Sequence, residues 1–195
     1  LKVLLSIGGW GSGRFSEMAA NDEYRRAFAA DCDRVVKEFA LDGIDIDWEY
    51  PTSSMANISS SPDDTENFTL LMQDIRAAIG NEKELTLATV ASARYIDFKA
   101  ILPSVDFVNI MAYDMASAPK HHSALYPSGH SGDITSDGAV TAHLKAGVPP
   151  SKLVMGMPFY GRGGDGYPSF QDYNKVGNTD TQYTEKGDEV AQVPY

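Results

Sequence analysis

Short apolar runs alternate along the chain with stretches in which apolar side chains recur every three or four positions. The runs predict buried strands over residues 1–7, 41–48, 85–91, 105–112 and 153–157. Between the first two, Tyr24, Phe28, Cys32, Val35 and Phe39 follow at steps of four, four, three and four, along one face of a helix that Asn21 can cap. Phe68, Leu71, Ile75 and Ile79 mark a second helix ended by Gly80, and a third covers 136–146. Strand and helix in alternation are the pattern of βα units around a parallel sheet. Past Arg162 the periodicity gives way to Gly, Asp, Tyr, Asn and Thr, so the chain reads as a βα region over 1–162 and a loop-rich segment over 163–195. The expected fold class is α/β, and the 195 residues fall short of the roughly 250 of a complete (β/α)8 barrel.

The second strand carries the densest chemistry. In Asp42-Gly43-Ile44-Asp45-Ile46-Asp47-Trp48-Glu49-Tyr50-Pro51, the acids Asp45, Asp47 and Glu49 are spaced two apart and project from one face, while Ile44, Ile46 and Trp48 take the other. In a barrel the apolar face packs on the helices and the acidic face points inward, where an ionised carboxylate is costly unless paired. Three such groups cannot all ionise cheaply: some must retain or share a proton near neutrality, and at least one must titrate above the usual carboxylate range. A general acid has that requirement. Glu49, nearest the carboxyl end, stands where barrel enzymes place their chemistry, and Asp45 is expected to be a deeper, buried partner. Alternating acids also read as a calcium loop or a solvated edge strand. An EF-hand places its Gly after the third acidic position with polar residues between ligands, whereas here Gly43 comes first and isoleucines intervene. Those isoleucines and Trp48 oppose a solvated edge as well.

Charge narrows the choice of partner. A formal net charge of -11 and a pI near 4.6 repel nucleic-acid phosphates and anionic lipid, so no nucleic acid is expected and a neutral substrate fits better. No apolar stretch approaches the roughly 20 residues of a membrane span. The single cysteine, Cys32, cannot form an intrachain disulfide and is read as core packing on its helix. His121, His122, His130 and His143 lack metal-ligand spacing tied to the acidic strand and are expected in surface or loop positions. Ser6 has no partnered histidine in an evident elbow motif, which speaks against a serine hydrolase.

Asp42-x-x-Asp45-x-Asp47-x-Glu49 resembles the D-x-x-D-x-D-x-E signature of glycoside hydrolase family 18, the chitinases and their relatives. Other strand ends carry further resemblances in the same order: Ser6-Ile7-Gly8-Gly9-Trp10 to S-x-G-G, Met111-Ala112-Tyr113-Asp114 to M-x-Y-D, and Met157-Pro158-Phe159-Tyr160-Gly161-Arg162 to a segment ending P-F-Y-G-R. His121-His122-Ser123 with Leu125-Tyr126 also looks like a family loop. The chain departs from the family where residues 115–120 lack the Trp that commonly follows Y-D.

The resemblance implies a (β/α)8 TIM barrel represented here by about its strands 3 to 7, with 188–195 similar to the segment before the last strand. It implies hydrolysis of β-1,4 bonds between N-acetylglucosamine units with retention, assisted by the substrate's own acetamide. In that scheme Glu49 protonates the leaving oxygen, and the acetamide carbonyl attacks the anomeric carbon to give an oxazolinium intermediate. Asp47 holds the acetamide N–H and shares a proton with Asp45, and Tyr113 bonds the acetamide oxygen. Trp10, Tyr50, Met111, Asp114, Met157, Tyr160 and Arg162 are the implied substrate contacts. Chitin or a chitooligosaccharide is the implied partner, with no metal or organic cofactor, in a secreted or periplasmic setting. An endo-β-N-acetylglucosaminidase of N-glycans and a non-catalytic chitinase-like lectin are the alternatives.

Overall fold

A computed structural model of the chain describes residues 1–117 and 119–160. Arg162 and the expected loop-rich segment lie outside the described residues. In order, the elements are β1 (Leu4–Gly8), α1 (Phe15–Ala19), α2 (Asp22–Glu38), β2 (Gly43–Asp47), α3 (Asp64–Ile79), β3 (Glu84–Val90), α4 (Phe98–Ile101), β4 (Phe107–Met111), α5 (Ser136–Lys145) and β5 (Leu153–Gly156). The five predicted strands are all present, and the short helices α1 and α4 join the three predicted ones.

The strands form one parallel sheet in the order β1-β2-β3-β4-β5. Its register sets Ser6 beside Asp45 and Asp45 beside Thr86, so these three positions line up across β1, β2 and β3. Two glycines permit the close approach of neighbouring strands. A Cβ on Gly8 would come within 2.0 Å of the Asp47 carbonyl oxygen, and one on Gly43 within 2.1 Å of that of Glu84. Gly8 also has φ 129, a conformation that L side chains rarely adopt. Asp42, the first acid of the motif, is structural: its Oδ2 accepts the Val3 N–H at 2.7 Å just ahead of β1.

The chain divides into two compact units. The first comprises Leu1–Thr89, Arg94–Asn109 and Ala146–Leu153. Its core forms on the apolar face of β2, where Ile44, Ile46 and Trp48 are buried, as alternation requires. The Trp48 ring stacks on Phe15 with centroids 5.4 Å apart and meets Phe68 edge-on at 5.5 Å. Leu71, Met72 and Ile75 of α3 and Leu85 and Leu87 of β3 complete it. Asn21 caps α2 as expected, its side chain accepting from the Tyr24 N–H at 3.1 Å.

The buried stripe of α2 is Arg25, Ala29, Cys32 and Val36, not the expected row from Tyr24 to Phe39: Tyr24 and Phe39 are 56% and 64% exposed. The cause is Arg25, whose guanidinium bonds Asp22, the Ala19 carbonyl at 2.7 Å and Asp74 of α3 at 3.1 Å. A charge so partnered can replace an apolar side chain at the helix contact. Cys32 is a core residue as read, and burial pushes its thiol up to about 12.

The second unit comprises Val90–Ala93, Ile110–Lys145 and a stretch beginning at Val154. Its loop is pinned by hydrogen bonds from Met115 N–H to the His122 carbonyl at 2.9 Å and from His121 N–H to the His130 carbonyl at 2.8 Å. His143, fully buried on α5, overturns the expectation of a surface or loop position, whereas His122 lies in the loop as expected, though only 5% exposed. The His143 ring bonds the Ala139 carbonyl one turn back at 2.8 Å, and burial lowers its pKa, favouring the neutral ring that a dry site tolerates.

Candidate active site

The inward face of β2 carries the acids as alternation demands: Asp45, Asp47 and Glu49 are each half-buried and alternate with the buried Ile44, Ile46 and Trp48. Their surroundings differ along the strand. The Asp45 carboxylate accepts from Ser6 Oγ at 2.7 Å, Thr86 Oγ1 at 2.6 Å and Asn109 Nδ2 at 3.2 Å. Three neutral donors take the place of the water it loses. Asp45 is therefore half-buried, not fully buried as expected, and its donors come from β1, β3 and β4.

Asp47 has the opposite setting. Its Oδ1 is buried with no hydrogen-bond partner among the described residues. Burial first, then the neighbouring charges of Glu49 and Asp45, push the Asp47 carboxyl up to about 7. The rise expected of the acidic row thus falls on Asp47, which holds a proton close to neutrality.

Glu49 follows β2, and the peptide joining it to Tyr50 is cis. Burial, the Glu49 charge and a hydrogen bond to Glu49 all push the Tyr50 phenol above its usual range. The Tyr50 ring stacks on Tyr95 at 5.4 Å and meets the edge of Trp10 at 6.4 Å. Trp10 is 61% exposed, so its ring presents an open apolar face beside the acids of its own unit.

The second unit holds the remaining expected residues. Met111 ends β4 and is half-buried, while Met157 lies exposed past β5. Tyr113 meets Tyr160 edge-on at 6.2 Å, and His122 stacks on Tyr160 at 5.3 Å. The backbone N–H of Asp114 donates to His122 Nδ1 at 3.2 Å, and the Asp114 carboxylate lies 3.3 Å from the same nitrogen. His122 thereby fixes the turn at Asp114, where φ is 54.

Sequence reading assigned no role to Thr86, Asn109, Tyr95 or His122. A signal for two of them was present: Asn109 is the single polar residue of β4, and Thr86 is an interior polar residue of the mostly apolar β3, paired in register with Asp45. Tyr95 carries no comparable mark.

An acidic strand inside a parallel α/β sheet, with hydroxyl and amide donors at one carboxylate and a proton held on the next, is an arrangement suited to acid catalysis. The sequence profile described as Glycosyl hydrolases family 18 matches residues 1–195, and the chain belongs to that family. It is 38% identical over 195 residues to chitinase A1 of Niallia circulans, covering 85% of this chain and 27% of that protein. Chitotriosidase-1 of Mus musculus is 37% identical over 184 residues, covering 83% and 39%. Among solved structures, the chitinase domain of the spore coat protein CotE from Clostridium difficile matches with a TM-score of 0.86 at 39% identity, covering 90% of this chain and 54% of that one. The chain thus spans well under half of the two curated relatives, and its five-stranded sheet corresponds to part of a TIM barrel.

Proposed function

We propose that this chain carries the catalytic strand of a chitinase that cleaves β-1,4 bonds between N-acetylglucosamine units with retention, through the substrate's own acetamide. The observation that carries this reading is the split along β2: an Asp45 hydrogen-bonded by neighbouring strands, a proton-holding Asp47 and a Glu49 beside the tyrosine of the same motif. Most retaining glycosidases need a second carboxylate as nucleophile, but an Asp47 that keeps its proton near neutrality is a poor one. It is well suited to binding a polar group of the substrate and to adjusting its protonation as Glu49 changes charge. Glu49 is the general acid on the leaving oxygen and then the base that activates water. Asp47 holds the acetamide and shares a proton with the hydrogen-bonded Asp45 behind it, and Tyr113 bonds the acetamide oxygen. Trp10, Tyr50, Met111, Asp114, Met157, Tyr160 and Arg162 form the sugar-binding set.

The partner in this reading is chitin or a chitooligosaccharide, and an insoluble extracellular polymer calls for secretion or a periplasmic setting. No described helix is long and apolar enough to cross a membrane. The test is product analysis by the full protein on chitotetraose and on an N-glycopeptide. Release of shorter β-anomeric chitooligosaccharides supports the proposal. Cleavage of the glycopeptide alone assigns an endo-β-N-acetylglucosaminidase, and binding without cleavage of either assigns a lectin.

A further inference from the structure

The first turn of α3 grips the segment that follows the catalytic strand. Asp64, the first residue of the helix, is fully buried and both its carboxylate oxygens are engaged. Oδ1 accepts from Ser16 Oγ of α1 at 2.7 Å, and Oδ2 accepts the backbone N–H groups of Ser61 at 2.7 Å and Thr52 at 3.1 Å. A buried carboxylate holds such donors firmly, because losing one leaves charge uncompensated in the interior. Thr52 lies two residues beyond Tyr50.

The next residue of the helix acts on the same tyrosine from its other side. Thr65 Oγ1 donates to the Tyr95 carbonyl at 3.0 Å, and the Tyr95 ring stacks on that of Tyr50 with planes 15° apart. Tyr50 is therefore held twice, along its main chain through Thr52 and Asp64 and at its ring through Tyr95 and Thr65. Thr52 and Tyr95 have φ of 61 and 73, a region that side-chain-bearing residues occupy only where their surroundings impose it. The Tyr50 phenol in turn bonds Glu49.

We infer that Asp64 and Thr65 are positioning residues for hydrolysis, fixing Tyr50 and through it the Glu49 carboxyl. The inference rests on the reading of Glu49 as the acid. Asp64, being fully buried, acts through Tyr50 and not on the sugar.

Turnover of a fluorogenic chitobioside by the full protein tests it, with Thr65→Val, Thr65→Ser, Asp64→Asn and Glu49→Gln compared for kcat, KM and unfolding midpoint. Thr65→Val keeps the shape and removes the donor, whereas Thr65→Ser keeps the hydroxyl. Thr65→Val and Asp64→Asn are expected to lower kcat roughly 10- to 100-fold, as a misplaced catalytic group does, with KM changed less than about threefold. Thr65→Ser is expected to recover kcat to within about twofold of the parent. If Asp64→Asn fails to fold, the Thr65 pair decides alone. Parental kcat in folded Thr65→Val, or an equal loss in Thr65→Ser, overturns the inference while an inactive Glu49→Gln leaves the assignment of the acid standing. An active Glu49→Gln overturns both.

Discussion

Midway along β2, Asp45 accepts hydrogen bonds from Ser6, Thr86 and Asn109; two residues on, Asp47 buries Oδ1 with no partner among the described residues. The side chains are chemically identical and face the same way. Neighbouring strands supply donors to Asp45, whereas Asp47 Oδ1 has none among the described residues, and burial equips Asp47 to keep a proton. The charge at Asp45 is itself one cause of the rise at Asp47, after burial and Glu49. A row of acids at strand spacing therefore does not give three equivalent groups. It grades from structural support to chemistry over the length of a few residues.

That comparison breaks most visibly at the carboxyl end. Glu49→Gln is expected to lower turnover of a chitooligosaccharide about 10²- to 10⁴-fold while binding stays measurable by calorimetry, since the amide keeps the shape and cannot give up a proton. Asp47→Asn should follow with a loss of roughly 10²-fold, and the ionisation near pH 7 should vanish from its rate profile. A profile that matched the parent would remove Asp47 from the proton network.

At Asp45 the effect should move from rate to stability. Thr86 is 1% exposed, and Thr86→Val takes away one donor to Asp45 at nearly constant volume. A loss of about 1 to 3 kcal/mol in denaturant unfolding is expected, with kcat reduced far less than in Asp47→Asn. The smallest effect is one of slope. Because Asp47 holds its proton up to about pH 7 in the fold but only to about 4 when unfolded, the folded state binds more protons between these values. Its contribution is fully present below about pH 4 and is lost as pH rises through 7. Asp47→Asn should flatten that part of the stability curve, measured as the unfolding midpoint against pH.

The acid row was legible in the sequence because strand alternation needs only local spacing, and the buried Ile44, Ile46 and Trp48 opposite it agree. The strands were legible for the same reason. Thr86 and Asn109 stand out as polar residues in their strands, but their partnership with Asp45 was not legible, since they lie 41 and 64 residues away and meet it only in the folded sheet. Counting apolar residues along α2 misplaced its face because Arg25, neutralised by Asp22 and Asp74, occupies a contact that hydrophobicity assigns to Tyr24. His143 was misread in the same way: its bond to the Ala139 carbonyl is made within its own helix and lets a polar ring enter the core.

The grading along β2 is tested most directly by carbon-detected NMR titration of the Asp47 carboxyl in the full protein, before and after Glu49→Gln. A midpoint near 7 is expected in the parent. In Glu49→Gln it should fall, because one neighbouring charge is gone, yet stay above the usual carboxylate range, because burial and Asp45 remain. A parental midpoint near 4, or one that Glu49→Gln leaves unmoved, would contradict it.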